Sequence, residues 1–318
     1  MNQATNTAAV EDGTDGVALG IASGKGGVGK TTTALNLGAA LVESGYTVAI
    51  ADLDLGMANL GAMVGLRQPK ATIHDVLAGR AELEKALHEA GGLTILPGST
   101  VLDDFSEANT GHIQSAIDRL RDRFDVVLLD VGAGLNHEVA VSLEAADGVL
   151  LVTSGELPAL TDASKTGELV ERLDVPVVGA VFAGTGSGEF DDIESIATAL
   201  GTTGSITVGV PADKHVTKSV RKGMPVVFET PEAPASVAYK RLAASLESAL
   251  EFRPDEPAAE TDFEWVDPDT GADIDDEPGP VMEVPLETLI EEAGLETDPS
   301  STQTGKKVLD RVRTWLGD

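Results

Sequence analysis

Cysteine is absent from all 318 residues, which excludes disulfides, iron–sulfur clusters and thiolate metal sites. Long apolar runs are missing too. None approaches the roughly 18 residues that a membrane-spanning helix needs. The stretch from Met1 to Asp15 is polar and acidic, without the basic start and apolar centre of a secretory signal. These absences predict a cytoplasmic protein. Cations are also scarce, with 22 Lys and Arg against 53 Asp and Glu, a formal net charge of -31. An excess of this size is more than one acidic patch. It reads as a salt-adapted surface, whose self-repulsion is screened within about 3 Å at 1 M salt. The expected setting is a halophilic, archaeal cytoplasm.

What is present is an alternation of short apolar runs and amphipathic stretches from Gly16 to about Phe252. Expected strands are Val17–Ala22, Thr47–Asp52, Leu93–Leu96, Val126–Asp130, Val149–Thr153, Val177–Phe182 and Ile206–Val210. Helical patterns lie between most of them, as over Ile113–Arg123, Ala159–Leu173 and Pro234–Leu250. Strands that are apolar throughout and alternate with helices predict an α/β fold, a mainly parallel sheet covered on both faces. Residues 254–303 then carry no Lys or Arg and are rich in Asp, Glu, Pro, Gly and Thr. Such a composition cannot bury enough apolar surface to offset ordering, so a disordered linker is expected. The expected organisation is a tail over 1–16, a nucleotide-binding domain over 17–252, the acidic linker over 253–303 and a terminal helix over 304–318.

Residues 24–31 read Gly-Lys-Gly-Gly-Val-Gly-Lys-Thr. This fits the phosphate-loop pattern G-x-x-x-x-G-K-[ST], in which glycines turn backbone N–H groups onto phosphate oxygens. The final lysine reaches the β/γ-phosphates, and the hydroxyl meets Mg²⁺. An apolar run precedes the loop and a helical pattern follows it, so the helix dipole adds to phosphate binding. Gly24, Lys25, Gly26, Gly27, Val28, Gly29, Lys30, Thr31 and Thr32 are the expected nucleotide-binding residues. Two acidic motifs follow. Asp52-Leu53-Asp54 ends the second expected strand, where carboxylates can orient Mg²⁺ ligands or an attacking water. Asp125-Val126-Val127-Leu128-Leu129-Asp130 has the form of a Walker B strand, whose last carboxylate reaches Mg²⁺. Thr31, Asp52 and Asp130 are thus the expected metal site.

With its extra lysine, Lys25, the loop resembles that of the deviant Walker A ATPases, the MinD/ParA group. Asp52 to Leu60, reading DLDLGMANL, resembles the switch I of MinD and its flagellar relative FlhG more than that of ParA. Thr153 to Glu156, and Gly209 to Val226, are similar to later nucleotide-proximal segments, and the likeness spans roughly 17–250. The resemblance implies a Mg²⁺-dependent P-loop ATPase that dimerises with ATP. It implies that Lys30 binds the β/γ-phosphates, Lys25 reaches the partner's phosphates, Asp54 positions the attacking water and Asp130 holds Mg²⁺ through a water. Two stretches depart from the pattern. Val131-Gly132 follows Asp130 where a residue and then proline is usual, and Ala183-Gly184 stands where many members carry Asn-Arg near the base.

At the far end, Val308, Leu309, Val312, Trp315 and Leu316 fall within an arc of about 120° on a helix, with Lys306, Lys307, Arg311 and Arg313 opposite. That pattern suits a helix lying in a bilayer interface, and it resembles the membrane-binding tail of MinD. Docking on its own domain or on a partner is the alternative. Lys214, His215, Lys218, Arg221 and Lys222 form a local basic cluster. DNA is the less expected partner for it, because phosphate-driven affinity falls steeply with salt. Three functions compete: a MinD-like ATPase that positions cellular machinery at the inner membrane surface with an unidentified protein partner, a ParA-type partitioning ATPase, and a scaffold that binds nucleotide without turnover.

Overall fold

The computed structural model of the protein describes residues 16–185 and 206–249. The expected tail, acidic linker and amphipathic helix with Val308, Leu309, Val312, Trp315 and Leu316 lie outside the described residues. Within them the strands are β1 (Val17–Ala22), β2 (Val48–Leu53), β3 (His88–Ala90), β4 (Leu93–Leu96), β5 (Val126–Val131), β6 (Gly148–Thr153), β7 (Val177–Thr185) and β8 (Ile206–Pro211). They form one 8-stranded sheet in the order β3-β4-β2-β5-β1-β6-β7-β8. Every residue of β2, β5 and β6 is buried, which is why these strands read as unbroken apolar runs.

All ladders are parallel except that between β3 and β4. This antiparallel edge was not expected from the sequence. Gly91 and Gly92, at φ 58° and 77°, form the two-residue turn that joins the two strands, a conformation that favours glycine.

Helices cover both faces. The helix Lys30–Glu43 packs with Pro234–Ala249 on one side, in a core that includes Leu37, Ile50, Leu128 and Leu242. Ile113–Arg121, His137–Glu144 and Leu157–Arg172 cover the other, around Leu53, Ile117, Leu129 and Phe182. β1 sits between β5 and β6, and the chain winds away from it in opposite directions. The loops after β1, β5 and β6 therefore diverge beyond the carboxyl edge of the sheet, where open α/β sheets bind ligands.

Candidate functional site

The phosphate loop runs from β1 into the helix Lys30–Glu43, and two of its glycines take backbone that L side chains avoid. Gly27 has φ 80° and Gly29 φ 103°. A Cβ at Gly24 would stand 2.1 Å from the Asp162 carbonyl oxygen, so only glycine lets the loop lie against the helix Leu157–Arg172. Gly29 caps the helix Lys30–Glu43 without a side-chain hydrogen bond, and its first turn holds no acidic residue. Its leading N–H groups are left for an anion.

Lys30 is buried, and its Nζ donates to Ser23 Oγ at 3.1 Å. Burial pulls its pKa down, while Asp130 and Asp54 oppose that pull. Ser23 Oγ in turn donates to the Lys25 carbonyl at 2.8 Å, tying the loop's start to its lysine. Lys25 lies on the rim, half exposed, with Nζ 3.4 Å from Glu156 Oε2.

Asp52 and Asp130 are register partners on adjacent strands, each about 1% exposed. Asp52 Oδ2 accepts from the Asn59 and Leu60 amides at 3.1 and 3.0 Å, and Oδ1 from the Asp54 amide at 3.3 Å. Neither Asp130 oxygen has a hydrogen-bond partner of good geometry. Burial, and then the neighbouring Asp52 charge, push the Asp130 carboxyl well above its ordinary value, with the Thr31 hydroxyl and Lys30 pulling partway back. Asp52 is raised as well, chiefly by burial, against the backbone bonds it accepts. Asp54 stands just past β2, half-buried, with Oδ1 accepting from the Met57 amide at 3.2 Å. A Cβ on Gly132 would come within 3.3 Å of that oxygen.

A family model described as an AAA domain matches residues 17–175. An uncharacterized ATP-binding protein of Methanocaldococcus jannaschii is 34% identical over 72% of this chain and 87% of its own length. The antiactivator FleN of Pseudomonas aeruginosa is 33% identical, over 72% of this chain and 86% of that protein. Among solved structures, septum site-determining protein MinD of Pyrococcus horikoshii, complexed with Mg-ADP, superposes with a TM-score of 0.68. It is 31% identical and covers 74% of this chain and 97% of that one. The chain belongs to the MinD/ParA family of ATPases.

As a MinD/ParA-family P-loop ATPase, it takes ATP and Mg²⁺. The residues present fit that pair. No group of three or more His, Asp or Glu able to hold a metal ion occurs among the described residues. Mg²⁺ is commonly held by one or two carboxylates together with substrate phosphates, and the unpartnered oxygens of Asp130 beside Thr31 and Lys30 supply that chemistry. Against the ATPase loop lies a cleft of about 520 Å³ bordered by Gly29, Thr32, Ala183, Pro211, Asp213 and Thr217. Ala183 and Gly184, which depart from the family pattern, border this cleft together with Pro211. Asp213 is held by His215 and by the Ala235 amide, so both its oxygens are engaged.

Two buried residues of this ATPase were missed by motif reading. Ser23 lies one position before the pattern, and only the curl of the loop brings its hydroxyl to Lys30. His74, which belongs to none of the motifs, is 0% exposed and bridges two loops beside the site. No local signal marks it, since both its partners are distant in the chain.

Proposed function

We propose that this ATPase closes as an ATP-bound pair, docks reversibly on the inner membrane surface through its C-terminal helix, and releases after hydrolysis, so positioning other cellular machinery. In this reading Lys30 binds the β/γ-phosphates, Thr31 and Asp130 hold Mg²⁺, Asp52 supports the metal shell and Asp54 orients the attacking water. The carrying observation concerns exposed apolar side chains. Met57, Val101, Leu135 and Leu157 are at least 45% exposed, and they stand in the segments after β2, β4, β5 and β6. They therefore ring the carboxyl edge of the sheet, where Lys25 also lies. A second copy facing this edge would cover them. Lys25, held only by an exposed ion pair of little worth, would be free to reach the partner's phosphates. A cation supplied in trans ties hydrolysis to pairing.

One terminal helix buries about five apolar side chains and binds weakly, whereas two on one pair gain through effective concentration. Membrane affinity then follows the nucleotide. No helix among the described residues is long and apolar enough to cross a membrane. FleN and MinD are the named relatives that motivate a role in placing motility or division assemblies.

A second reading has one observation in its favour. Lys214, Lys218 and Arg221 are exposed along one helix and make no ion pair among the described residues, a surface that could meet DNA. The test serves both. The full chain, at high salt with Mg²⁺ and a slowly hydrolysed ATP analogue, is followed by light scattering and by sedimentation with anionic vesicles or with duplex DNA. Pairing and vesicle binding that are both lost in Lys25→Ala support the proposal. A single chain that ignores vesicles sinks it, and retention on DNA alone turns the reading to partitioning.

A further inference from the structure

We propose that His74 is a positioning residue for hydrolysis, tying the backbone at Leu55 to the loop at Ser99 and so aiming Asp54. The proposal rests on the reading of Asp54 as the residue that orients the attacking water.

The geometry is specific. His74 is 0% exposed, in the short helix Ile73–Leu77. Its Nε2 lies 3.0 Å from the Leu55 carbonyl oxygen, and its Nδ1 accepts the Ser99 amide at 3.0 Å. A carbonyl can only accept and a backbone N–H can only donate. The ring must therefore carry its single proton on Nε2, and be neutral. Burial pulls its pKa down, which favours the same form. The charged groups that face it are Asp75 on its own helix, and Arg80 and Asp104 from outside it.

Leu55 immediately follows Asp54. The segment from Asp54 to Leu60 is anchored at its base by Asp52, which accepts from the amides of residues 54, 59 and 60. Toward its tip, Gly56 and Met57 are exposed, Met57 by 79%. His74 reaches the buried Leu55, between Asp54 and this tip, from another element. Its far anchor is itself fixed, because Ser99 Oγ donates to Asp104 Oδ2 at 2.6 Å and Arg80 pairs with Asp104. The imidazole thus connects the residue beside Asp54 to a braced part of the fold. A displacement of order 1 Å at a reacting group can cost about 100-fold in rate, so a tether at this place controls hydrolysis more than binding.

The test compares His74→Gln, His74→Asn and Asp54→Ala in the full chain, by fluorescent-ATP titration and single-turnover hydrolysis with Mg²⁺. The Gln amide falls near the position of Nε2 and keeps a donor for Leu55. The Asn carbonyl falls near Nδ1 and keeps only the Ser99 bond. Expected is hydrolysis about 10–100-fold slower in His74→Asn and within about threefold of wild type in His74→Gln, with nucleotide affinity within about threefold in both. Equal rates in the two His74 variants, with Asp54→Ala inactive, overturn the proposal and leave Asp54 in place. Full hydrolysis by Asp54→Ala removes the Asp54 reading, and the proposal with it. Nitrogen NMR of the wild-type His74 ring gives a check that needs no variant. A neutral ring protonated on Nε2 supports the tether, and the opposite tautomer or a charged ring at neutral pH overturns it.

Discussion

Asp130 lies beside Asp52 across two parallel strands, both buried, yet only Asp52 accepts hydrogen bonds of good geometry. Without a cation the fold therefore holds a proton that the unfolded chain releases near the ordinary carboxylate value. The sign follows from linkage. A raised folded pKa gives stability that is present at low pH and is lost as pH rises through the folded value. The nucleotide-free protein is expected to melt at lower temperature at about pH 8 than at about pH 5.5, at constant high salt. Asp130→Asn should flatten that slope, be more stable than wild type at the alkaline end by about 1–3 kcal/mol, and lose the Mg²⁺-dependent share of stabilisation by ATP. Calorimetry across pH, with and without Mg-ATP, measures all three.

Ser23 offers a sharper test of how the loop is held. Its hydroxyl accepts from Lys30 and donates to the Lys25 carbonyl, both within 3.1 Å. Ser23→Ala leaves the Lys30 ammonium without that partner in a buried place. The expected loss is about 1 kcal/mol of nucleotide affinity, or roughly fivefold in Kd, with little change in melting temperature. Titration with a fluorescent ATP analogue reads the first and calorimetry the second. Unchanged affinity would show that the phosphates alone orient Lys30.

Acid sensitivity should come from a different corner of the molecule. Thr72 and Asp75 form a capping box on the helix Ile73–Leu77, with Asp75 Oδ2 accepting the Thr72 amide at 2.9 Å. Burial alone would raise the Asp75 pKa, but the bonds from Thr72 and Arg80 outweigh it and hold the carboxyl below its ordinary value. Its contribution is thus present above the unfolded pKa and lost as pH falls through the folded one. Asp75→Ala is expected to cost about 1 kcal/mol at neutral pH, with the gap closing as pH falls through the lowered folded value. Thermal unfolding of both proteins across that range decides it.

How much of this was legible beforehand follows from what each feature depends on. β1, β2, β5 and β6 are buried on both faces, so their apolar runs announced them, and the spacing of Gly24, Gly29 and Lys30 declared the loop. β3 was invisible because His88-Glu89-Ala90 is short and half polar, although the Gly91-Gly92 turn beside it was a hairpin signal. The helices Leu60–Met63, Ile73–Leu77 and Leu83–Ala86 are too short to show a 3.6-residue period. Asp52 and Asp130 were singled out one by one. Their direct adjacency needed strand order, since 78 positions separate them in the chain. Ser23 and His74 act through contacts that only folding creates.

The helix Lys30–Glu43 takes no side-chain cap at its start and carries no acid in its first turn. Phosphate oxygens are the acceptors that can finish that turn, which makes the ligand a structural part as well as a fuel. In a starved cell this chain would sit with that helix incompletely terminated. Its lifetime against proteases would then rise and fall with the supply of ATP.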